Sequence, residues 1–157
     1  SLAFCDFYIL SILSRMAATG VSVTDEVTAQ FAEFKKSSNK ISFIIYKIED
    51  LSKGPIVAEY TSGENEPFQS FLDKLPADDC RYAIYNMDFT TTDGRPTNKL
   101  VNIAWAPDTA RVKAKMVYAG SKAALDRVFV GVSTKITAVD MSDLTEEKVQ
   151  EACRKFA

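Results

Sequence analysis

One stretch constrains this chain more than any other: residues 105–128, which run from Trp105-Ala106-Pro107-Asp108 into a long segment of helix-forming residues. It reads as a strand end turning into a long helix, with Pro107 fixing φ and Asp108 supplying a capping carboxylate. At about 100° per residue, Val112, Met116, Ala119 and Ala123 fall in one narrow apolar stripe, expected to dock on a core. Arg111, Lys115, Tyr118 and Lys122 cluster about a quarter-turn away as a basic ridge carrying one aromatic. Gly120-Ser121 is expected to bend the helix. Lys113 lies far from the ridge and near the edge of the stripe, so its exposure tests this arrangement.

The flanking sequence supplies the surface such a helix needs. Thr24 caps a first helix with Asp25 and Glu26 in its opening turn, and Val27, Phe31 and Phe34 on one face. Lys35-Lys36 closes it at the negative end of its dipole. Residues 41–48 and 56–60 are β-branched and aromatic, and Lys53-Gly54-Pro55 turns between them. Pro67 opens a short helix with Phe68, Phe71, Leu72 and Leu75 inward. Asp93-Gly94 marks a hairpin between strands at 81–89 and 99–106. A strand at 130–139 follows the long helix, which favours a parallel crossover, and Thr145-Glu146-Glu147 opens a last helix with Val149, Cys153 and Phe156 inward. The order α-β-β-α-β-β-α-β-α defines an α/β chain of the α+β type, a mixed sheet with helices on both faces.

Several chemistries are excluded. With no histidine the chain lacks the commonest general base near neutral pH and the commonest metal ligand. Cys5, Cys80 and Cys153 are far apart, which fits neither zinc spacing nor a disulfide framework and points to a reducing compartment. Cys80 reads as a packed core thiol, because no histidine stands ready to activate it. Residues 88–94 approximate a calcium loop, but the glycine falls late and the closing glutamate is missing. A net charge of −2 argues against general nucleic-acid binding. No acid, base and nucleophile set appears, so no enzyme and no cofactor is expected.

Residues 1–15 differ from the rest. Phe4, Phe7, Tyr8, Ile9, Ile12 and Leu13 make the segment strongly apolar, yet it lacks a positive n-region and is too short to span a bilayer. It is read as a non-native or upstream-translated extension ahead of a single domain at 16–157, with Met16, Ala17, Ala18, Thr19 and Gly20 as a flexible arm.

Trp105-Ala106-Pro107-Asp108-Thr109, then Val112 through Ala119 with Ser121-Lys122, resembles the long actin-binding helix of the ADF/cofilin family. The loop from Leu75 to Tyr85 is also similar, and the resemblance extends from Met16 to about Lys155. It implies the ADF-homology fold, a five- to six-stranded sheet with four antiparallel strands and one parallel strand. It also implies binding to monomeric and filamentous actin, with severing and depolymerisation of filaments. Ala18, Thr19, Gly20, Lys113, Lys115 and Met116 would engage one actin subunit. Arg95 and Lys99 on the hairpin, with Glu151, Arg154 and Lys155 on the last helix, would engage its neighbour. Pro96 and Ala152 depart from the more polar and basic residues usual there. Thr19 stands where the family carries a regulatory phosphoserine, and a phosphate would repel an acidic partner. The resemblance further implies a monomeric, cytoplasmic and cytoskeletal protein able to enter the nucleus, with phosphoinositide headgroups competing for the same lysines. A coactosin-like filament binder that does not sever is the alternative within the same fold.

Overall fold

The computed structural model describes residues 21–36, 40–132 and 134–155. The extension at 1–15, the arm with Ala18, Thr19 and Gly20, and Phe156 lie outside the described residues. The elements are α1 (Asp25–Phe34), β1 (Phe43–Ile48), β2 (Ile56–Thr61), α2 (Phe68–Asp73), β3 (Arg81–Thr90), β4 (Pro96–Trp105), α3 (Val112–Val128), β5 (Thr134–Ala138) and α4 (Glu146–Lys155), with a 3-10 turn at Met141–Asp143. The order expected from the sequence is the order observed.

The five strands form one sheet in the order β2-β1-β3-β4-β5. Hairpins make β1–β2 and β3–β4 antiparallel, β1 pairs β3 antiparallel, and the α3 crossover returns β5 parallel to β4. The β3–β4 ladder runs unbroken from Arg81↔Trp105 to Thr90↔Pro96. Pro96, lacking an N–H, takes the first position of its strand, where a missing donor costs least.

Strand alternation sends residues to two cores. Ile44, Tyr46, Tyr82, Ile84 and Ala104 face α1 and α3, packing with Val27, Phe31, Phe34, Tyr118 and Leu125. Phe43, Ile45, Tyr85, Ile103 and Trp105 face α2 and α4, packing with Phe68, Phe71, Val149 and Cys153. Phe43, Phe68, Phe71 and Tyr85 meet with centroids 5.2 to 5.8 Å apart, most of them edge-on or tilted, the arrangement ring quadrupoles favour. Thr24 Oγ1 accepts from Val27 N at 3.3 Å, so the expected cap of α1 forms, and Thr145 Oγ1 does the same for Lys148 N at 3.2 Å in α4.

The long helix departs from the sequence reading in two ways. It begins at Val112 rather than near Asp108: Ala110 N closes a turn on Pro107 O, and extended Arg111 is the N-cap without a side-chain cap. Its docking face is also a different one. Ala114, Tyr118, Ser121, Ala124 and Leu125 are buried, whereas Val112 and Met116 are 72% and 69% exposed and Ala119 and Ala123 face solvent. The physical reason lies at Tyr118. Its hydroxyl accepts from Ile48 N at 2.9 Å, and its backbone carbonyl accepts from the Tyr82 hydroxyl, so this polar aromatic is hydrogen-bonded inside. Small Ala114 and Ser121 are buried on the same face. The strand expected at 130–139 is shortened to Thr134–Ala138, because Val132 N bonds Phe129 O and Gly131 takes a φ of 88°.

One surface cluster fixes the β2–α2 connection. Glu66 accepts from Gly63 N at 2.7 Å, the Tyr60 hydroxyl at 2.8 Å and the Ser70 hydroxyl at 2.8 Å. The Gly63 bond, then the two hydroxyls, hold its carboxyl below the ordinary carboxylate range.

The helix rotation makes a direct prediction. Met116→Ser should change the unfolding free energy by no more than about 0.5 kcal/mol, Leu125→Ala should cost about 2–5 kcal/mol, and Tyr118→Phe, which orphans Ile48 N–H, about 1–3 kcal/mol. Chemical denaturation of the three variants measures this. For Glu66, a depressed pKa means stabilisation that is fully present above the ordinary carboxylate pKa and lost as pH falls through the folded value. The stability difference between the native chain and Glu66→Gln should therefore be constant near neutrality and shrink as pH drops below about 4.5, read from denaturation midpoints against pH.

Candidate functional site

The rotation of α3 decides what the molecule presents. Val112, Lys113 and Met116 lie on the side opposite Tyr118 and Ser121 and face outward together. The Lys113 ammonium lies 3.5 Å from Ser52 Oγ on the exposed β1–β2 turn, so that turn borders the helix face. Lys113 passes the exposure test that the sequence reading left open.

The expected ridge is only partly a ridge. Lys115 is half-buried and its Nζ donates to Asp108 O at 3.0 Å, tying the pre-helical turn to the first helical turn. Lys122 Nζ donates to Thr137 Oγ1 at 2.8 Å, bracing α3 against β5. Tyr118 belongs to the core. Val112, assigned to the core from its apolarity, is instead part of the exposed face. The missed signal was the spacing of Ala114, Tyr118, Ser121 and Leu125, which marks a second helical stripe. Beside the first turn of α3 lies a polar cleft of about 350 Å³, lined in part by Glu49, Asp78, Asp79 and Arg111.

A second surface forms where the β3–β4 hairpin meets α4. Arg154 Nε donates to Thr90 O at 2.9 Å and Gln150 Nε2 to Asp88 O at 3.2 Å, across a cleft of about 510 Å³. Arg95 projects at the tip, 3.3 Å from Asp93 Oδ2, with both side chains largely exposed. Lys99 is half-buried on β4 opposite Met87, and Glu151 and Lys155 are exposed on α4. The structure thus joins Arg154 to the hairpin by a direct bond. Gln150 was missed because a neutral amide carries no motif.

Neither surface holds reactive groups. Burial first, then Asp79, pushes the Cys80 thiol up, and burial pushes Cys153 up, so both stay protonated near neutral pH. Among the described residues no cluster of acidic, histidine or cysteine side chains could hold a metal ion, and no helix is long and apolar enough to cross a membrane.

Two outward faces on a rigid sheet, one helical and one shared by a hairpin and a helix, define a binding module. The chain belongs to the cofilin/tropomyosin-type actin-binding protein family, whose sequence model matches residues 20–154. It is 42% identical to cofilin of Yarrowia lipolytica over 145 residues, 92% of this chain and 93% of that protein. It is 34% identical to actin-depolymerizing factor 5 of Arabidopsis thaliana over 146 residues, 92% of this chain and all of that one. The crystal structure of Streptomyces griseoflavus cofilin superposes with a TM-score of 0.77 at 32% identity, covering 86% of this chain and 98% of that one. The ADF-homology fold inferred from the sequence is therefore the fold of this chain.

Proposed function

We propose that this protein binds monomeric and filamentous actin and severs and depolymerises filaments. The observation that carries this reading is the outward face of α3, where Val112 and Met116 stay exposed beside Lys113 in a member of an actin-binding family. Apolar side chains that a core would accept, held outward on a rigid helix, suit a partner that buries them.

Lys113, Met116 and the segment Ala18-Thr19-Gly20 engage one actin subunit, with Lys115 holding the helix start in place. Arg95, Lys99, Glu151, Arg154 and Lys155 engage the neighbouring subunit of a filament. A ligand that binds a twisted subunit arrangement better than the resting one shifts the filament toward it by that difference in affinity. Strain then concentrates where decorated and bare stretches meet, and filaments break there. No covalent step is involved. A phosphate on Thr19 would add roughly −1.5 to −2 charges at the contact and weaken it. Phosphoinositide headgroups compete for the same cations, and the protein acts in the cytoplasm on the cytoskeleton, with nuclear entry as a further property.

Lys113→Ala should leave stability within about 0.5 kcal/mol and weaken binding to monomeric actin by about 2 kcal/mol, or roughly 30-fold, in a fluorescence titration. Unchanged monomer affinity would remove α3 from the site. Lys115→Ala should show both effects, because its bond to the Asp108 carbonyl is lost as well.

Arg95→Ala combined with Lys99→Ala should weaken co-sedimentation with filaments and spare monomer binding. Equal losses in both assays would mean that the two surfaces do not divide the labour. Imaging of labelled filaments then separates a severing protein from a coactosin-like binder that decorates without fragmenting them.

A further inference from the structure

The start of α3 has little of its own to hold it. Extended Arg111 is the N-cap without a side-chain cap, and the first turn contains no acidic residue. Arg111, Lys113 and Lys115 instead stand at the positive end of the helix dipole, where cations are unfavourable. Local forces alone would leave such an end frayed.

What holds it comes from outside the helix. Ala110 N bonds Pro107 O at 2.9 Å, and Lys115 Nζ reaches back to Asp108 O at 3.0 Å, so the pre-helical turn closes on itself. Two side chains then join this region to a distant loop. Trp105 Nε1 donates to Pro76 O at 2.7 Å, and the Thr109 hydroxyl donates to Ala77 O. Successive carbonyls of one loop are thus gripped from the end of β4 and from the turn before α3.

A pin positions only if its acceptor is fixed, and the loop from Leu75 to Cys80 is. Both of those residues are buried. Asp79 Oδ1 accepts from Cys80 N at 2.8 Å, and Arg81 Nη1 donates to Asp79 Oδ2 at 2.7 Å and to Cys80 O at 2.6 Å. Arg81 Nε donates to Glu59 Oε2 at 2.6 Å, which ties the exit of the loop to β2. Trp105 belongs to the core, whereas Thr109 is exposed, so the effect of its hydroxyl is separable from packing.

We infer that Thr109 is a positioning residue: its bond to the Ala77 carbonyl sets where α3 starts, and so how Val112, Lys113 and Met116 are presented. All three lie within seven positions of Thr109, whereas the Tyr118 anchor holds the helix further on. The pin stands on these bonds alone, while its consequence for affinity rests on the actin reading above.

Thr109→Val keeps the branched shape and deletes the donor, and Thr109→Ser keeps the donor. Loss of one hydrogen bond of ordinary strength should raise local opening about fivefold. Hydrogen exchange read by NMR should therefore quicken about fivefold in Thr109→Val at the amides of Ala110 and Lys115, and stay unchanged at Phe129, whose amide bonds Leu125 O at the far end of α3. Thr109→Ser should exchange like the native chain at all three. With only pinned molecules competent, association with monomeric actin should slow about two- to fivefold in Thr109→Val at a constant dissociation rate, and Thr109→Ser should restore it.

Unchanged exchange at Ala110 and Lys115 overturns the inference, and so does quickened exchange with an unchanged association rate. A loss carried by faster dissociation overturns it as well, because Thr109 would then touch the partner itself. A loss that Thr109→Ser does not restore removes the hydroxyl as the cause. If exchange responds as expected while even the native chain fails to bind actin, the pin stands and the actin reading fails.

Discussion

The arrangement depends on how α3 is pinned to the sheet through Tyr118. Its hydroxyl accepts from Ile48 N at the end of β1, its carbonyl accepts from the Tyr82 hydroxyl on β3, and the two rings lie with centroids 4.9 Å apart. A helix held only by apolar contact could rotate by some tens of degrees and still bury a comparable stripe. Two directional bonds at one residue, in a setting where an orphaned polar group costs about 1–3 kcal/mol, remove that freedom. Asn102 Nδ2 to Asp126 Oδ1 at 3.0 Å and Lys122 to Thr137 fix the far half of the helix over β4 and β5. With the inner face set, the outer face follows, and Val112, Lys113 and Met116 have no alternative but solvent or a partner.

Most of the fold was legible because its elements announce themselves locally. Thr24 before an apolar period, Asp93-Gly94 between alternating runs, and a helix ahead of a β-branched segment each carry a mechanism that tertiary context did not override. The long helix was legible as a helix and misread in rotation. Hydrophobicity ranks Val112 and Met116 above Tyr118, so a wheel drawn on apolarity turns the helix the wrong way. What reverses the order is a hydrogen bond to Ile48 N, seventy positions away in the chain, which no local pattern encodes. The same misreading explains the difficulty over Lys113. On a helix turned by Tyr118 it belongs with Met116, and the residue-by-residue resemblance already grouped them.

The second surface was legible in its parts and not in their union. Charges on the hairpin and on α4 are visible in sequence, but their proximity is a consequence of the β3–β4 ladder passing beneath α4. Arg154 and Gln150 there donate to backbone carbonyls of Thr90 and Asp88. These are solvent-facing carbonyls near the end of β3, so the bonds hold the hairpin against α4 and set the direction in which Arg95 projects. Arg154 thus has a positioning task besides its charge, and its guanidinium keeps further donors for a partner.

The two surfaces are connected by β3 itself. Tyr82 near its start grips α3, and Asp88 and Thr90 at its end receive α4. Thr90 lies eight positions after Tyr82, about 27 Å at the usual rise of a strand. That strand is central, paired with β1 on one side and along its whole length with β4 on the other. A central paired strand is among the least extensible elements a small domain can offer. On the proposed two-surface reading, a filament neighbour that moves relative to a subunit held by α3 would either carry the whole domain with it or lose one contact. In that reading, rigidity of the spacer, rather than strength at either face, would let binding energy at two sites be expressed as a change in the geometry of the partner.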